Sequence, residues 1–264
     1  MSLFDKHELL EFLDDTYNTE IDNGKSKLTA LRITRKEYKS WVGDFAAGLK
    51  EQIKLNDILD PNLKIGLPSH IPAATGMDAL SHNLEALCSP FYHPLAEGIA
   101  IEGARLVKDY LPRAVKDGSD IEARTQMLVA SMMGATAFQK GLGAMHALAH
   151  PLGALYDAHH GLLNAILMPY VLQANREVIE ERIVRLARYM DLEDCSFDGF
   201  LNWVLEMRSL LKIPHSLSQI NIDTQQQTLV ATMATEDPSA GGNPIKFTTD
   251  QYQQIFINAV KGEL

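Results

Sequence analysis

The chain has 264 residues, of which 46% are hydrophobic and 22% charged, a composition typical of a folded globular protein with a sizeable core. The formal net charge is −10, and no run of Lys or Arg could follow a phosphate backbone, so we expect no nucleic-acid partner. We expect no secretory leader; the sequence has no apolar run long enough to cross a membrane, and only two cysteines, Cys88 and Cys195. We therefore expect a cytoplasmic protein with reduced thiols and no membrane partner.

The first 68 residues are predicted to form a short, mixed α/β appendage. Hydrophobic spacing favours helices over residues 8–14 and 38–49, and the run 28–34 favours a strand. Two prolines and a glycine in the stretch 60–68 predict a strand or an extended link that leads into the rest of the chain. We place the domain boundary near residue 68.

From residue 69 to 264, apolar residues recur at helical spacing, which predicts a mainly α domain built as a multi-helix bundle. A Pro- and Gly-containing stretch predicts a break over 111–119, and Pro169 predicts a kink or an end of the helix that follows Gly161. Residues 213–216 and 237–244 are predicted loops. The predicted helices cover residues 95–109, 121–138, 178–190, 197–211 and 248–260.

Asp78 and His82 are four residues apart, so on a helix they lie on one face, with Glu85 following at the next turn. A second face of the same segment is apolar and is predicted to enter the core. Glu85 is expected to be a partner of a metal ligand or a structural group, and Cys88 a small core residue rather than a ligand. The apolar face consists of Met77, Leu80, Leu84 and Leu87.

The segment 141–161 contains four of the nine histidines, at positions 146, 150, 159 and 160. His146 and His150 have helical spacing, and Pro151 is expected to disturb that helix. A carboxylate and imidazoles from two segments suit Fe(II), Zn(II), Mn(II) or Co(II) better than a metal that prefers thiolates. Spacing alone leaves open whether His150 is a ligand, a partner of a ligand or a proton relay.

Four motifs occur in order along this chain. They are Thr-Gly-Met-Asp-Ala-Leu-Ser-His at 75–82, Gly-Leu-Gly-Ala-Met-His-Ala-Leu-Ala-His-Pro-Leu-Gly at 141–153, His-His-Gly-Leu-Leu-Asn-Ala at 159–165, and Asp-Pro-Ser-Ala-Gly-Gly-Asn-Pro at 237–244. From about residue 60 onward, the chain resembles the iron-containing (group III) alcohol dehydrogenases. The resemblance implies the C-terminal helical half of a dehydroquinate synthase-like fold.

The resemblance also implies a set of site residues. His150 corresponds to a residue beside the metal and the nicotinamide, where it could relay a proton. His159 stands where many members carry Pro, which leaves the choice between two adjacent imidazoles open. Fe(II) is the implied metal, with Zn(II) able to replace it. One Asp and three His hold the metal in that family, and they correspond to Asp78, His82, His146 and His160.

Members of this family interconvert alcohols and aldehydes, passing hydride between the carbinol carbon and NAD(P). Full-length members have an N-terminal half with glycine-rich loops such as Gly-Gly-Gly-Ser, which does not occur in this sequence. We expect residues 1–68 to be a remnant of that half or a replacement for it. The chain would then be a truncated relative, a fragment, or a chain whose missing half is supplied by a second polypeptide. NAD(P) binding and activity of this chain alone are expected to be weak or absent.

Two other functions fit the same residues. One is a metal-binding helical module without redox activity, and the other is a metal-dependent hydrolase that uses a metal-bound water. If the chain is a dehydrogenase, its expected partner is a small alcohol or aldehyde substrate. The sequence is also compatible with a homo-oligomer.

Overall fold

The computed structural model describes residues 60–264, which form a bundle of eight α-helices with four short 3₁₀ helices and no β-strand in that range. The prediction of a mainly α bundle is confirmed. No helix in this part of the chain is long and apolar enough to cross a membrane. The helices are α1 (His70–Cys88), α2 (Pro94–Lys116), α3 (Ile121–Ala137), α4 (Ala144–Tyr156), α5 (His160–Tyr189), α6 (Phe197–Leu210), α7 (Gln227–Glu236) and α8 (Thr249–Lys261).

The predictions for the start of the chain are only partly tested. The strand or extended link predicted at 60–68 is wrong in its first half, because Pro61–Lys64 form a 3₁₀ helix. The Asp60 carboxylate accepts a hydrogen bond of 2.9 Å from the backbone amide of Asn62, which favours a turn at this point. The boundary near residue 68 stays a prediction. Outside the described residues lie the predicted helices at 8–14 and 38–49 and the predicted strand at 28–34.

Helix α1 is the central helix and packs against α2, α3 and α5. Fourteen of its 19 residues are buried. The predicted apolar face is confirmed, and each of its side chains contributes about 1.5–3 kcal/mol by leaving water. Because α1 is surrounded by other helices, its polar side chains are held in fixed positions. The fully buried residues of that face are Met77, Leu80, Leu84 and Leu87.

Three helices continue through a proline, against the predicted breaks. The predicted break at 111–119 is wrong up to Lys116. At Pro169, where a kink or an end is predicted, the helix does not end, because residues 160–189 form one helix; the kink stays a prediction. An interior proline costs about 3 kcal/mol, since it removes a backbone hydrogen bond and crowds the preceding turn. Burial around these prolines offsets that cost; Leu111, for example, is fully buried. The prolines are Pro112 in α2, Pro151 in α4 and Pro169 in α5.

Gly161 lies where α5 closely approaches α1. A Cβ atom at this position would lie 2.7 Å from the carbonyl oxygen of Ala74 and 3.1 Å from the Cβ of Asp78. We expect Gly161→Ala to push the two helices apart and lower the free energy of unfolding by about 1–3 kcal/mol, as measured in urea. Gly153→Ala is the control, because the atoms nearest to its Cβ would lie at 3.7 and 3.9 Å. This control should be neutral or stabilising, and equal losses in both variants would contradict the prediction.

Candidate metal centre

Three helices bring four of the predicted site residues together. Asp78 and His82 come from α1, His146 from α4, and His160 is the first residue of α5; one ligand atom of each lies within 4.8 Å of all the others. Oδ1 of Asp78 is 3.9 Å from Nε2 of His146 and 3.8 Å from Nε2 of His160. Metal–ligand bonds of about 2.1 Å place neighbouring ligand atoms about 3–3.5 Å apart, so a small contraction would suffice to coordinate a cation.

The chemistry of this cluster fits a divalent transition metal. One carboxylate oxygen and three imidazole nitrogens form the donor set, and imidazole must be neutral to bind a metal. Burial lowers the pKa of both His82 and His160, against the opposing charge of Asp78, and so favours their neutral forms. For His146 burial acts in the same direction, but the charge and hydrogen bond of Glu85 outweigh it and raise the pKa.

The buried carboxylate of Glu85 orients His146 and holds the start of α4. It accepts hydrogen bonds from the backbone amides of Gly143 at 2.8 Å and Met145 at 2.7 Å, and its Oε2 is 2.6 Å from Nδ1 of His146. An ionised carboxylate can only accept, so Nδ1 of His146 carries a proton; in the neutral ring, Nε2 then has the lone pair that faces the cluster. Glu85 therefore acts on the site through His146, in agreement with its expected role as a partner.

The Gly-Gly-Asn segment at residues 241–243 also fixes the start of α4. The side-chain oxygen of Asn243 accepts hydrogen bonds from the backbone amide of Ala144 and from Asn175, both at 3.1 Å, and its nitrogen donates back to Asn175 at 2.9 Å. A Cβ atom on Gly242 would lie 2.1 Å from the carbonyl oxygen of Leu142, so only glycine permits this contact. The sequence motif included these residues, but nothing in it indicated their contacts.

His150 lies beside the cluster and is not one of its four residues. Its Nδ1 is 2.8 Å from Oδ2 of Asp237, and its ring stacks on that of His160 with centroids 5.5 Å apart. The His150 side chain is 44% exposed, whereas that of Asp237 is 12% exposed. A carboxylate that orients a partly exposed imidazole is suited to proton transfer. Asp237 belongs to the motif at 237–244, but the motif does not indicate this contact.

The two adjacent histidines have different positions. His160 joins the cluster, whereas Nδ1 of His159 accepts a hydrogen bond of 3.3 Å from the backbone amide of Leu162 and caps the first turn of α5. This geometry favours His160 over His159 as a ligand. The metal-binding role of the four clustered residues stays a prediction.

Cys88 is a buried core residue at the end of α1, and burial raises the pKa of its thiol to about 12. Thiol reagents attack the thiolate, so we expect Cys88 to be inert in the folded protein. A colorimetric thiol titration should detect at most the partly buried Cys195 before denaturation and both cysteines in guanidinium. Two rapidly reacting thiols in the native protein would contradict this prediction.

Residues 72–260 match the model of the "Fe-containing alcohol dehydrogenase family, C-terminal". The chain belongs to the iron-containing alcohol dehydrogenase family. It is 39% identical to 4-hydroxybutyrate dehydrogenase of Cupriavidus necator, over 75% of this chain and 54% of that relative. It is 34% identical to 1,3-propanediol dehydrogenase of Citrobacter freundii, over 76% of this chain and 54% of that relative.

The fold is similar to solved structures of the same family. A crystal structure of 1,3-propanediol oxidoreductase superimposes with a TM-score of 0.73 and 34% identity, covering 76% of this chain and 54% of that one. The resemblance inferred from the motifs is thus confirmed. The chain spans about half the length of the curated relatives it matches.

Proposed function

We propose that this chain supplies the metal-binding part of an NAD(P)-dependent alcohol dehydrogenase that interconverts small alcohols and aldehydes. The observation that carries the proposal is the convergence of one Asp and three His from α1, α4 and α5, in a chain of this family. Two of the relatives are named for 4-hydroxybutyrate and 1,3-propanediol, which both carry a primary alcohol. We therefore propose a small primary alcohol as the substrate. Family membership favours this proposal over the metal-dependent hydrolase.

Asp78, His82, His146 and His160 would hold the metal, with Fe(II) expected and Zn(II) able to replace it. When bound, the metal supplies a Lewis acid that polarises the substrate oxygen. The contact between His150 and Asp237 supports a proton relay. With Nδ1 protonated and directed at Asp237, Nε2 of His150 is the nitrogen that can take up or release a proton.

Metal content and NAD(P)H binding, measured on the same anaerobically purified sample of the 264-residue polypeptide, test this proposal. We expect a stoichiometric transition metal, weak NAD(P)H binding and negligible turnover of short primary alcohols. Positioning of two reactants can account for about 7–11 kcal/mol of a barrier, and this polypeptide has no Gly-Gly-Gly-Ser loop to position a dinucleotide.

The measurements of metal content and of NAD(P)H binding can each contradict a different part of the proposal. A sample that holds only Mg or Ca, or no metal after incubation with Fe(II) or Zn(II), would contradict the proposed metal centre. Micromolar NAD(P)H binding with clear turnover would contradict the expected weak activity and would indicate a dinucleotide site within this polypeptide.

A further inference from the structure

Asn164 lies where three of the four clustered ligand atoms converge. Its Nδ2 is 2.7 Å from Oδ1 of Asp78, 3.1 Å from Nε2 of His160 and 3.2 Å from Nε2 of His146. The side chain is fully buried on α5, one turn after His160. Its Oδ1 has no hydrogen-bond partner within residues 60–264. The amide is therefore positioned by its nitrogen, and all of its side-chain hydrogen bonds in this range go to candidate metal ligands.

The available hydrogens and lone pairs indicate what this amide does. A primary amide has two N–H groups, and here it faces three acceptors. The unprotonated nitrogen of a neutral imidazole offers a single lone pair. Nε2 of His146 or of His160 can therefore either accept from the amide or bind a metal, but cannot do both at once. A carboxylate oxygen offers two lone pairs, so Asp78 can bind a metal and still accept from Asn164.

The three acceptors also need a donor when no cation is present. Without the amide, the Asp78 carboxylate oxygen and the Nε2 lone pair of neutral His146 would face each other inside the protein, with Nε2 of His160 beside them, which is unfavourable. Ser81 also donates to Oδ1 of Asp78, at 3.2 Å, but its hydroxyl is 2.7 Å from the Asp78 backbone carbonyl and is shared between the two. Asn164 is the donor closest to all three acceptors within the described residues.

We propose that Asn164 is a positioning residue that gathers Asp78, His146 and His160 before a metal binds and keeps the Asp78 carboxylate oriented afterwards. Its relation to Asp78 parallels that of Glu85 to His146. The inference depends on the proposed function only in that the cluster binds a metal. Hydrogen-bond partners of metal ligands typically change metal affinity about 10–100-fold when removed, so we expect an effect of that size.

The test compares Asn164→Ala and Asn164→Leu with Asn83→Ala. Asn83 is a matched control, because it is also a fully buried amide; within residues 60–264 its Oδ1 has no partner, and its Nδ2 donates only to the backbone carbonyls of Ala79 and Ala130. Co(II) and Zn(II) dissociation constants are measured by competition with a chelator. The visible spectrum of the Co(II) form is recorded, because it reports the arrangement of the ligands, which a loss of stability alone would not change.

We expect both Asn164 variants to bind Co(II) and Zn(II) about 10–100-fold more weakly than the parent and to show shifted Co(II) bands. Asn83→Ala should match the parent in affinity and spectrum, whatever stability it loses. Parent-like affinity and spectrum in the Asn164 variants would overturn the inference while leaving the metal centre intact. Failure of the parent itself to bind Co(II) or Zn(II) would instead overturn the proposed metal centre, and this inference with it.

Discussion

His160→Ala is expected to abolish tight metal binding, whereas His159→Ala is not. The two residues are adjacent, but only His160 has a ring nitrogen in the cluster; its Nε2 is 3.8 Å from Oδ1 of Asp78. Removing a hydrogen-bond partner of a ligand already costs about 10–100-fold in affinity, so removing the ligand itself should cost more than about 100-fold. His82→Ala should have the same effect. Zn(II) dissociation constants measured by chelator competition provide the comparison.

The control variant has a predicted defect of its own. His159 caps the start of α5 through the Leu162 amide, so His159→Ala should lower the free energy of unfolding by about 0.5–2 kcal/mol while metal affinity stays at the parental value. Urea unfolding of the metal-free proteins measures this loss. If the two alanine variants bound Zn(II) equally well, the choice of His160 as the ligand would be wrong.

Glu85→Ala is expected to cause a large loss of stability together with a smaller loss of metal affinity. The substitution leaves the buried amides of Gly143 and Met145 without an acceptor and removes the partner of His146. Breaking a buried, hydrogen-bonded charge typically costs about 3–5 kcal/mol. Metal affinity should fall about 10–100-fold, which is less than for His160→Ala.

Urea unfolding of the metal-free proteins and Zn(II) competition separate the two effects of this substitution. Glu181→Ala, which removes an exposed carboxylate from α5, is the control and should stay within about 0.5 kcal/mol of the parent. Glu85→Gln keeps one acceptor oxygen, so its stability should lie between those of Glu85→Ala and the parent. Similar unfolding curves for Glu85→Ala and Glu181→Ala would show that the buried carboxylate does not stabilise the start of α4.

Local spacing predicts those parts of the site that depend on a single helix. Asp78 and His82 share a face because they are four residues apart, and the apolar residues of α1 face the core for the same reason. Contacts between helices have no such periodic signal. Glu85 contacts His146 across 61 residues, and His150 contacts Asp237 across 87 residues, so neither hydrogen bond could be read from spacing.

The errors in the predicted helices have a related physical cause. Pro112, Pro151 and Pro169 each disfavour a helix locally, but the residues around them gain more from burial in the bundle than the missing backbone hydrogen bond costs. The unpredicted helix α7 (Gln227–Glu236) has few buried residues to give a periodic signal, namely Val230, Ala231 and Ala234. In the helices that contain a proline, tertiary packing outweighs the local preference against a helix. In α7, the local sequence has too few buried apolar residues to show helical periodicity.

The contact between Asn243 and Ala144 can form only late in the synthesis of this protein. The two residues are 99 positions apart, so the amide at the start of α4 must wait for Asn243 to emerge from the ribosome. At translation rates of about 5–20 residues per second, that interval lasts about 5–20 s. During this time the candidate metal centre has Glu85, which precedes it in the chain, but lacks Asn243 as an acceptor for the Ala144 amide. Through this interval the start of α4, which carries the candidate ligand His146, is held by Glu85 but not yet by Asn243.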